Sequence, residues 1–403
     1  MKDEFVRVAL DVGSHGVRVM ISYLEEGRPL EVIALGDAQS RGFKNGAVVG
    51  IEQASAAIEE AIAEAEKIAR LKVHLVDVAV GSRQTIAMNT QAHLAIKSGK
   101  ISRQEKIHAI CQARDKGLEG RACVHALVQT YVVDEHSGIV DPVGMAADAL
   151  EAYVHVVSME TWQRRNLLQC VQNAGVEVGR LVFKGVAVSY AALTPAERDL
   201  GVCVVDIGAD TMTYTVWRAN CPLYSNVVEL GGEIISSELA LTLKTPRQFA
   251  EALKIEKGVA LAALLQEHML EISSVGLRDN RLVEAQEVVD CIASGYVKML
   301  KYLRYDLEQA GFYHLLPAGF VFCGGAVQMR GFEQLARDFL QTPVRVAYPE
   351  KIHGLPEFWQ GNPALHTVLG IAALQAQPLE NYALENSKKH SIITRFKDFM
   401  RAL

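Results

Sequence analysis

The segments VALDVGSHGVRVMI (8–21) and CVVDIGADTMTYTV (203–216) align without a gap, Val8 on Cys203, so that Asp11 falls on Asp206 and Gly13 on Gly208. In each, a short β-branched run of nearly continuous apolar character leads into a glycine turn, the pattern of a strand buried on both faces. Two similar halves follow from this repeat. A strand ending in Asp, then Gly and a small polar residue, places backbone N–H groups around a pocket that can cradle phosphate oxygens. Either turn alone reads equally well as a tight hairpin in which glycine supplies positive φ. Facing each other, the two can clamp one triphosphate. Asp11 and Asp206 would then bracket Mg²⁺, which keeps several waters and needs few direct protein ligands.

Two further elements extend the pattern. Val321-Phe322-Cys323-Gly324-Gly325-Ala326 is a strand followed by a glycine pair, where missing side chains would let a purine slide over bare backbone. Glu251 and Lys254, spaced i,i+3 in FAEALKIEKG, share one helix face and could reach a ribose and a base edge, or could form a solvated charged face. Between the two repeats, 52–69 is rich in helix formers with Ile58, Ile62 and Ala65 on one stripe, and 161–174 reads as a helix stopped by Gly175. Strands alternating with such helices predict an α/β class with covered sheets. Residues 83–159 break the rhythm with a helix near 103–116 and strands around Gly- and Pro-bearing turns, an inserted α+β module. A second helical zone is expected from 233 to 309. The uncharged stretch 309–329 is long enough to span a bilayer, but its four glycines and Pro317 would free backbone groups that lipid cannot satisfy, so a buried strand is expected there.

The chain has 403 residues, more than one hydrophobic core usually organises. With 41 basic and 47 acidic residues its net charge is −6, which argues against a protein that blankets nucleic acid through a general positive field. Seven cysteines without a CxxC pair suggest neither a disulfide framework nor a zinc cage and suit a reducing cytosol. The opening MKDEFVRVALDVG runs into a strand pattern and does not read as a signal peptide.

These motifs resemble the phosphate 1, connect 1, phosphate 2 and adenosine motifs of the superfamily of actin, sugar kinases and heat-shock chaperone ATPases. Within it the chain resembles the FtsA family of bacterial cell division over nearly its whole length. The resemblance is carried by LDVGSHGVRVMI (10–21), TYVVDEHSGIVDPVGM (130–145), KGVAVSYAAL (184–193), GVCVVDIG (201–208), ELGGEIISSELA (229–240), FAEALKIEKGVA (249–260), FCGGAVQMRGFEQLA (322–336) and NPALHTVLG (362–370). It implies a two-domain actin-like α/β fold with an inserted α+β subdomain. The boundaries expected are 1–82, 160–195 and 365–376 for subdomain 1A, 83–159 for the inserted 1C, 196–229 and 310–364 for 2A, and 230–309 for 2B. It also implies ATP with Mg²⁺ as ligands. Gly13, Ser14 and His15 would face the β- and γ-phosphates with Gly208 and Thr211 opposite, Glu251 and Lys254 would hold the ribose, and Gly324 and Gly325 would flank adenine. The family's usual DIGGGT reads here Asp206-Ile207-Gly208-Ala209-Asp210-Thr211. Ala209 at positive φ would cost roughly 1–2 kcal/mol. The Asp210 charge about 4 Å from a phosphate charge would cost about 4 kcal/mol at an effective dielectric near 20.

The C-terminal segment SIITRFKDFMRAL (391–403) sets Ile392, Ile393, Phe396, Phe399, Met400 and Leu403 on one helical arc, with Arg395, Lys397, Asp398 and Arg401 outside it. Residues 388–403 hold five Lys or Arg and one Asp, a net +4 on a chain whose total is −6, leaving −10 for the rest. A cationic, bulky apolar helix behind a polar linker (377–390) is expected to lie in an anionic membrane interface, the alternative being a tail docked on the body or on a partner protein. The resemblance adds a membrane-targeting helix at this place, head-to-tail filaments, and the FtsZ C-terminal peptide docked on 230–309, with Lys298, Lys301 and Arg304 as candidate contacts. Other division proteins would meet 83–159. The function expected is a polymerising scaffold, at most a weak ATPase, that tethers the FtsZ ring to the cytoplasmic face of the inner membrane at the division site. A pilus-assembly scaffold resembling PilM and a phosphotransferase of the sugar-kinase branch are the alternatives.

Overall fold

The computed structural model describes residues 5–25, 29–274, 279–349 and 352–374; the linker at 377–390 and the expected helix at 391–403, with every membrane contact assigned to it, lie outside the described residues. The first lobe opens with an antiparallel meander of β1 (Val6–Val12), β2 (Gly16–Tyr23) and β3 (Glu31–Gln39). Two short strands, β4 (Phe43–Lys44) and β5 (Ala47–Val48), form a hairpin before α1 (Ile51–Ala69) leads to β6 (Leu75–Val80), parallel to β1. α1 buries Ala54, Ala57, Ile58, Ala61, Ile62 and Ala65, the stripe its periodicity predicts, and small residues on it allow close approach to the sheet.

The inserted module follows: β7 (Ile86–Ala95), α2 (Arg103–Leu118), β8 (Ala122–Val133), β9 (His136–Ile139) and β10 (Ala149–Met159), in the sheet order β7-β10-β8-β9. It has a core of its own around Ile101, Ala109, Leu150 and Val154. A capping box starts α2, with the Glu105 N–H donating to Ser102 Oγ and the Ser102 N–H to Glu105 Oε2. The chain then returns through α3 (Thr161–Asn173) to β11 (Glu177–Phe183), completing the first sheet as β11-β6-β1-β2-β3, and continues into α4 (Lys184–Ala192) and α5 (Pro195–Leu200).

The second lobe repeats the plan. β12 (Val202–Ile207), β13 (Met212–Arg218) and β14 (Cys221–Val228) form the meander, followed by α6 (Gly232–Thr242) and α7 (Arg247–Lys257). Next come β15 (Met269–Ile272), β16 (Arg281–Glu284) and α8 (Ala285–Gln309), then β17 (Phe320–Cys323), α9 (Phe332–Leu340) and β18 (Val344–Val346), after which the chain returns to the first lobe as α10 (His366–Leu374), whose Val368, Leu369 and Ile371 lie in that lobe's core. The second sheet runs β14-β13-β12-β17-β18, so each lobe has three antiparallel strands extended by two parallel ones. The region 233–309 is therefore not helical throughout, as its composition suggested. MLEI and RLVE pair as a two-stranded ladder, and four residues each are too few for strand alternation to stand out in the sequence. The stretch 309–329 holds the buried strand β17, and among the described residues no helix is long and apolar enough to cross a membrane.

The lobes are joined through α4, which packs in the first lobe and also meets β12, β13 and β17, and the inserted module is joined to the second lobe at β14. α10 lies on α4 so closely that a β-carbon at Gly370 would sit 1.8 Å from the Ala187 carbonyl oxygen. The inserted module leans on β14 through polar side chains: Asn89 Nδ2 donates to Leu223 O at 2.8 Å and Gln129 Nε2 to Pro222 O at 2.7 Å. Buried His155 lies between Asn89 Oδ1 (2.7 Å) and Ser225 Oγ (3.0 Å). Nδ1–H then donates to the amide oxygen and Nε2 accepts from the serine. Nearby, His125 Nε2 accepts the Phe183 N–H at 2.9 Å. Burial depresses both histidines, to about 4 for His155 and about 3 for His125, where Arg180 and His155 add to the effect. The unfolded chain takes up these protons near 6.5 and the folded one does not, so stability is lost as pH falls below that value. At pH 5 the loss is about 2 kcal/mol for each histidine relative to pH 7. Urea unfolding at the two pH values should show this drop, and His155→Gln should remove roughly half of it.

Candidate functional site

β1 and β12 both end at one cavity of about 840 Å³ between the lobes, a volume suited to a small organic ligand. The two turns that follow them share one hydrogen bond: Gly13 N–H donates to Gly16 O at 3.1 Å, and at the equivalent place Gly208 N–H donates to Thr211 O at 2.9 Å. Ser14, His15, Ala209, Asp210 and Thr211 line the cavity beside them. The second turn is fixed from behind by α6, whose first residues donate to it, Gly232 N–H to Gly208 O at 3.0 Å and Glu233 N–H to Ala209 O at 2.8 Å.

The expected strain at Ala209 does not arise, since it lies outside the left-handed region. Asp210 also differs from expectation. Its Oδ2 accepts the Asn45 N–H at 3.0 Å, so the carboxylate is engaged by the β4–β5 hairpin of the opposite lobe. A donor satisfies part of the charge that the sequence set against a phosphate.

α7 supplies Glu251 and Lys254, which bond to each other instead of facing solvent. Lys254 Nζ donates to Glu251 Oε2 at 2.7 Å, to Ser236 Oγ at 2.8 Å and to Gly232 O at 3.1 Å, and the Ser236 hydroxyl donates to the same Glu251 oxygen. Burial alone would raise the Glu251 pKa, but these donors outweigh it and hold the carboxyl below its usual range. The result is an ionised, oriented acceptor on the cavity wall. β17 ends in Gly324 and Gly325. Gly324 has φ +94°, and a β-carbon there would lie 2.3 Å from Asp206 Oδ1 and 2.4 Å from Ile207 O; at Gly325 the nearest atom would be Ala364 Cβ at 4.0 Å.

All eleven residues expected to hold nucleotide or metal line this one cavity: Asp11, Gly13, Ser14, His15, Asp206, Gly208, Thr211, Glu251, Lys254, Gly324 and Gly325. Sequence reasoning missed Lys184. As the first residue of α4, at the start of KGVAVSYAAL, it is an isolated cation in the apolar run LVFKGVAV, and that was the available signal. Its Nζ lies 2.7 Å from Asp11 Oδ1, with both side chains about nine-tenths buried. Burial alone would lower the lysine pKa, yet Asp11 and Asp206 more than offset this and raise it. Asp206 is pushed up to about 6 by burial, an effect that Lys184 partly opposes. Arg18 was also missed. It enters the cavity from β2 in an ion pair with Asp37 at 2.9 Å and lies 5.5 Å over the Trp359 ring.

These residues fit a nucleotide. They do not fit a divalent ion ligated by both strand-end aspartates, because a fixed ammonium already pairs with one of them and acts on the other. The candidate peptide contacts lie elsewhere, on α8, and do not line the cavity. Lys298 is bonded to Glu238 and Arg304 to Glu308, while Lys301 is exposed on the face that carries the 60% exposed Tyr305.

Two family descriptions match the chain: "Cell division protein FtsA" over residues 203–370, and "SHS2 domain inserted in FTSA" over residues 83–158. Among curated relatives, the cell division protein FtsA of Pseudomonas aeruginosa is 31% identical over 366 residues, covering 90% of this chain and 88% of that protein. FtsA of Escherichia coli K12 is 29% identical over 378 residues, covering 92% and 90%. Solved structures of similar shape include the PilM-PilN type IV pilus biogenesis complex (TM-score 0.66, 18% identity, 92% of this chain and 99% of that one). MreB5 of Spiroplasma citri bound to ADP (0.58, 11%, 92% and 96%) and a MamK double helical filament (0.53, 13%, 92% and 99%) are also similar. At these identities the structural likeness shows the fold, that of the actin-like ATPases, and no more.

Proposed function

This chain belongs to the FtsA family of cell division proteins, and from that premise we propose that it binds ATP between its lobes, assembles head to tail, and anchors the FtsZ ring to the membrane. One observation carries the nucleotide reading: the glycine turn after β1 and its repeat after β12 make the same hydrogen bond and open into one cavity with Glu251, Lys254, Gly324 and Gly325. In this reading Gly13, Ser14 and His15 face Gly208 and Thr211 across the phosphates, the Glu251 carboxylate accepts from ribose hydroxyls, and Gly324 and Gly325 lie against adenine. A repeated heterologous contact builds an open filament when its rotation does not close. The FtsZ C-terminal peptide would dock on α8 with Lys298, Lys301 and Arg304 as contacts, the first and last of which keep exposed side chains while paired with Glu238 and Glu308.

The segment 391–403 would lie on the anionic cytoplasmic face of the inner membrane at the division site, with Ile392, Ile393, Phe396, Phe399, Met400 and Leu403 in the interface and Arg395, Lys397 and Arg401 near the headgroups. One short helix of this kind holds weakly, and many copies along a filament multiply the attachment without new contacts. The full chain should sediment with vesicles containing anionic lipid, and residues 1–390 should stay in the supernatant. Equal sedimentation of the two would remove the anchor from the proposal. The PilM reading rests on shape at 18% identity, whereas the sequence relatives are FtsA proteins over nine-tenths of the chain.

A further inference from the structure

We propose that the Lys184 ammonium is the built-in counter-charge of this nucleotide site, held against the strand-end aspartate where a divalent cation would be expected, so that the chain binds ATP without Mg²⁺. The proposal rests on the reading of the cavity as a nucleotide site and goes beyond it by naming what neutralises the charge there. Three features carry it. The ammonium is 2.7 Å from Asp11 Oδ1, and the two side chains are 11% and 9% exposed, so the pair is built into the protein and is not a surface contact. The lysine stem is also held in place: a β-carbon on Gly81 would lie 3.3–3.4 Å from Lys184 Cβ, Cγ and Cδ, which leaves the stem packed on bare backbone. Finally, Lys184 and Asp11 line the same cavity as both glycine turns, together with a second fixed cation, Arg18.

A cation sharing Asp11 and Asp206 with this ammonium would meet like charge in a water-poor setting. The ammonium itself offers three donors, only one of which is needed for Asp11. A triphosphate entering between the turns could take another. Mg²⁺ bound to the phosphates alone, away from the aspartates, would then change affinity little. By reciprocity, ATP would change the protein's affinity for Mg²⁺ equally little.

The test is calorimetric titration of the full chain with ATP in excess Mg²⁺ and in excess EDTA. Wild-type affinities within about twofold of each other are expected, where coupled ligands differ by about fivefold or more. Lys184→Met, which keeps the stem against Gly81, should weaken binding in EDTA by about tenfold and recover part of that loss with Mg²⁺. A wild type that loses about tenfold or more in EDTA overturns the proposal and leaves the nucleotide reading standing. Absence of ATP binding in both buffers overturns the nucleotide reading and the proposal with it. The wild-type pair of titrations decides the matter even if the variant fails to fold.

Discussion

Gly324→Ala is expected to abolish measurable ATP binding and to lower stability by about 2–4 kcal/mol, while its neighbour Gly325→Ala folds normally and loses only affinity. At φ +94° any β-carbon is strained, and at position 324 it would also collide with Asp206 Oδ1 at 2.3 Å and with the Ile207 carbonyl at 2.4 Å. Neither obstacle is a flexible side-chain end. Ile207 O belongs to β12, and Asp206 is held in the buried charge cluster with Lys184. The turn after β17 must therefore move, and the glycine turn after β12 must move with it. Position 325 is different, because a methyl there meets nothing closer than Ala364 Cβ at 4.0 Å and projects into the space assigned to adenine. Thermal unfolding unchanged in Gly325→Ala, with ATP affinity lower by about tenfold, would identify the ligand's position directly, since a methyl misplaced in a snug pocket costs about 1–3 kcal/mol. Unchanged affinity in Gly325→Ala would place the base elsewhere.

The second large effect is structural. Asp306→Ala should cost about 3 kcal/mol, because one carboxylate oxygen on α8 serves three donors from the second sheet. Asp306 Oδ2 accepts from Tyr214 Oη at 2.6 Å, Tyr224 Oη at 2.8 Å and Asn226 Nδ2 at 3.3 Å. Tyr214 is fully buried, so its hydroxyl cannot turn to water once the acceptor is gone. Burial, followed by the hydrogen bond to Asp306 and then its charge, pushes both tyrosines above their usual pKa, so both hydroxyls keep their protons and go on donating. Asn226 Nδ2 also donates to the two tyrosine oxygens at 3.1 and 3.4 Å, so it keeps partners of its own but offers the hydroxyls no acceptor. Asp306→Asn, which keeps one acceptor, should cost about half as much in urea unfolding. Because the same helix carries Lys301 and Tyr305, amide exchange in the C-terminal half of α8 should quicken in Asp306→Ala before global unfolding does.

Much of the fold was legible because buried parallel strands and amphipathic helices leave strong local patterns. β1 and β12 announced themselves by β-branched runs ending in Asp-x-Gly, and α1 by its Ala and Ile stripe. The residues of the cavity were legible for a related reason: glycine turns repeated at one offset restrict what the backbone there can be. What stayed hidden depends on contacts between distant segments. Lys184 looks like a helix start in an apolar run until the fold brings Asp11 to it from 173 positions earlier. The same holds for His155, whose partners Asn89 and Ser225 lie 66 and 70 positions away. Asp210 read as a liability because the sequence could show the phosphate loop but not the Asn45 N–H across from it.

Gly370 against Ala187 fuses two helices of the first lobe. α10 packs against β1, β2 and β6 of the first lobe, and α4 runs from that lobe to β12, β13 and β17 of the second. Where backbone touches backbone there is no side chain to stretch or repack. The two helices therefore form one stiff piece of the first lobe, and α4 presents that piece to the second sheet. Beside the cavity, the Asp210–Asn45 bond adds a separate tie between the lobes, made by one side chain and therefore far softer than the seam of the two helices.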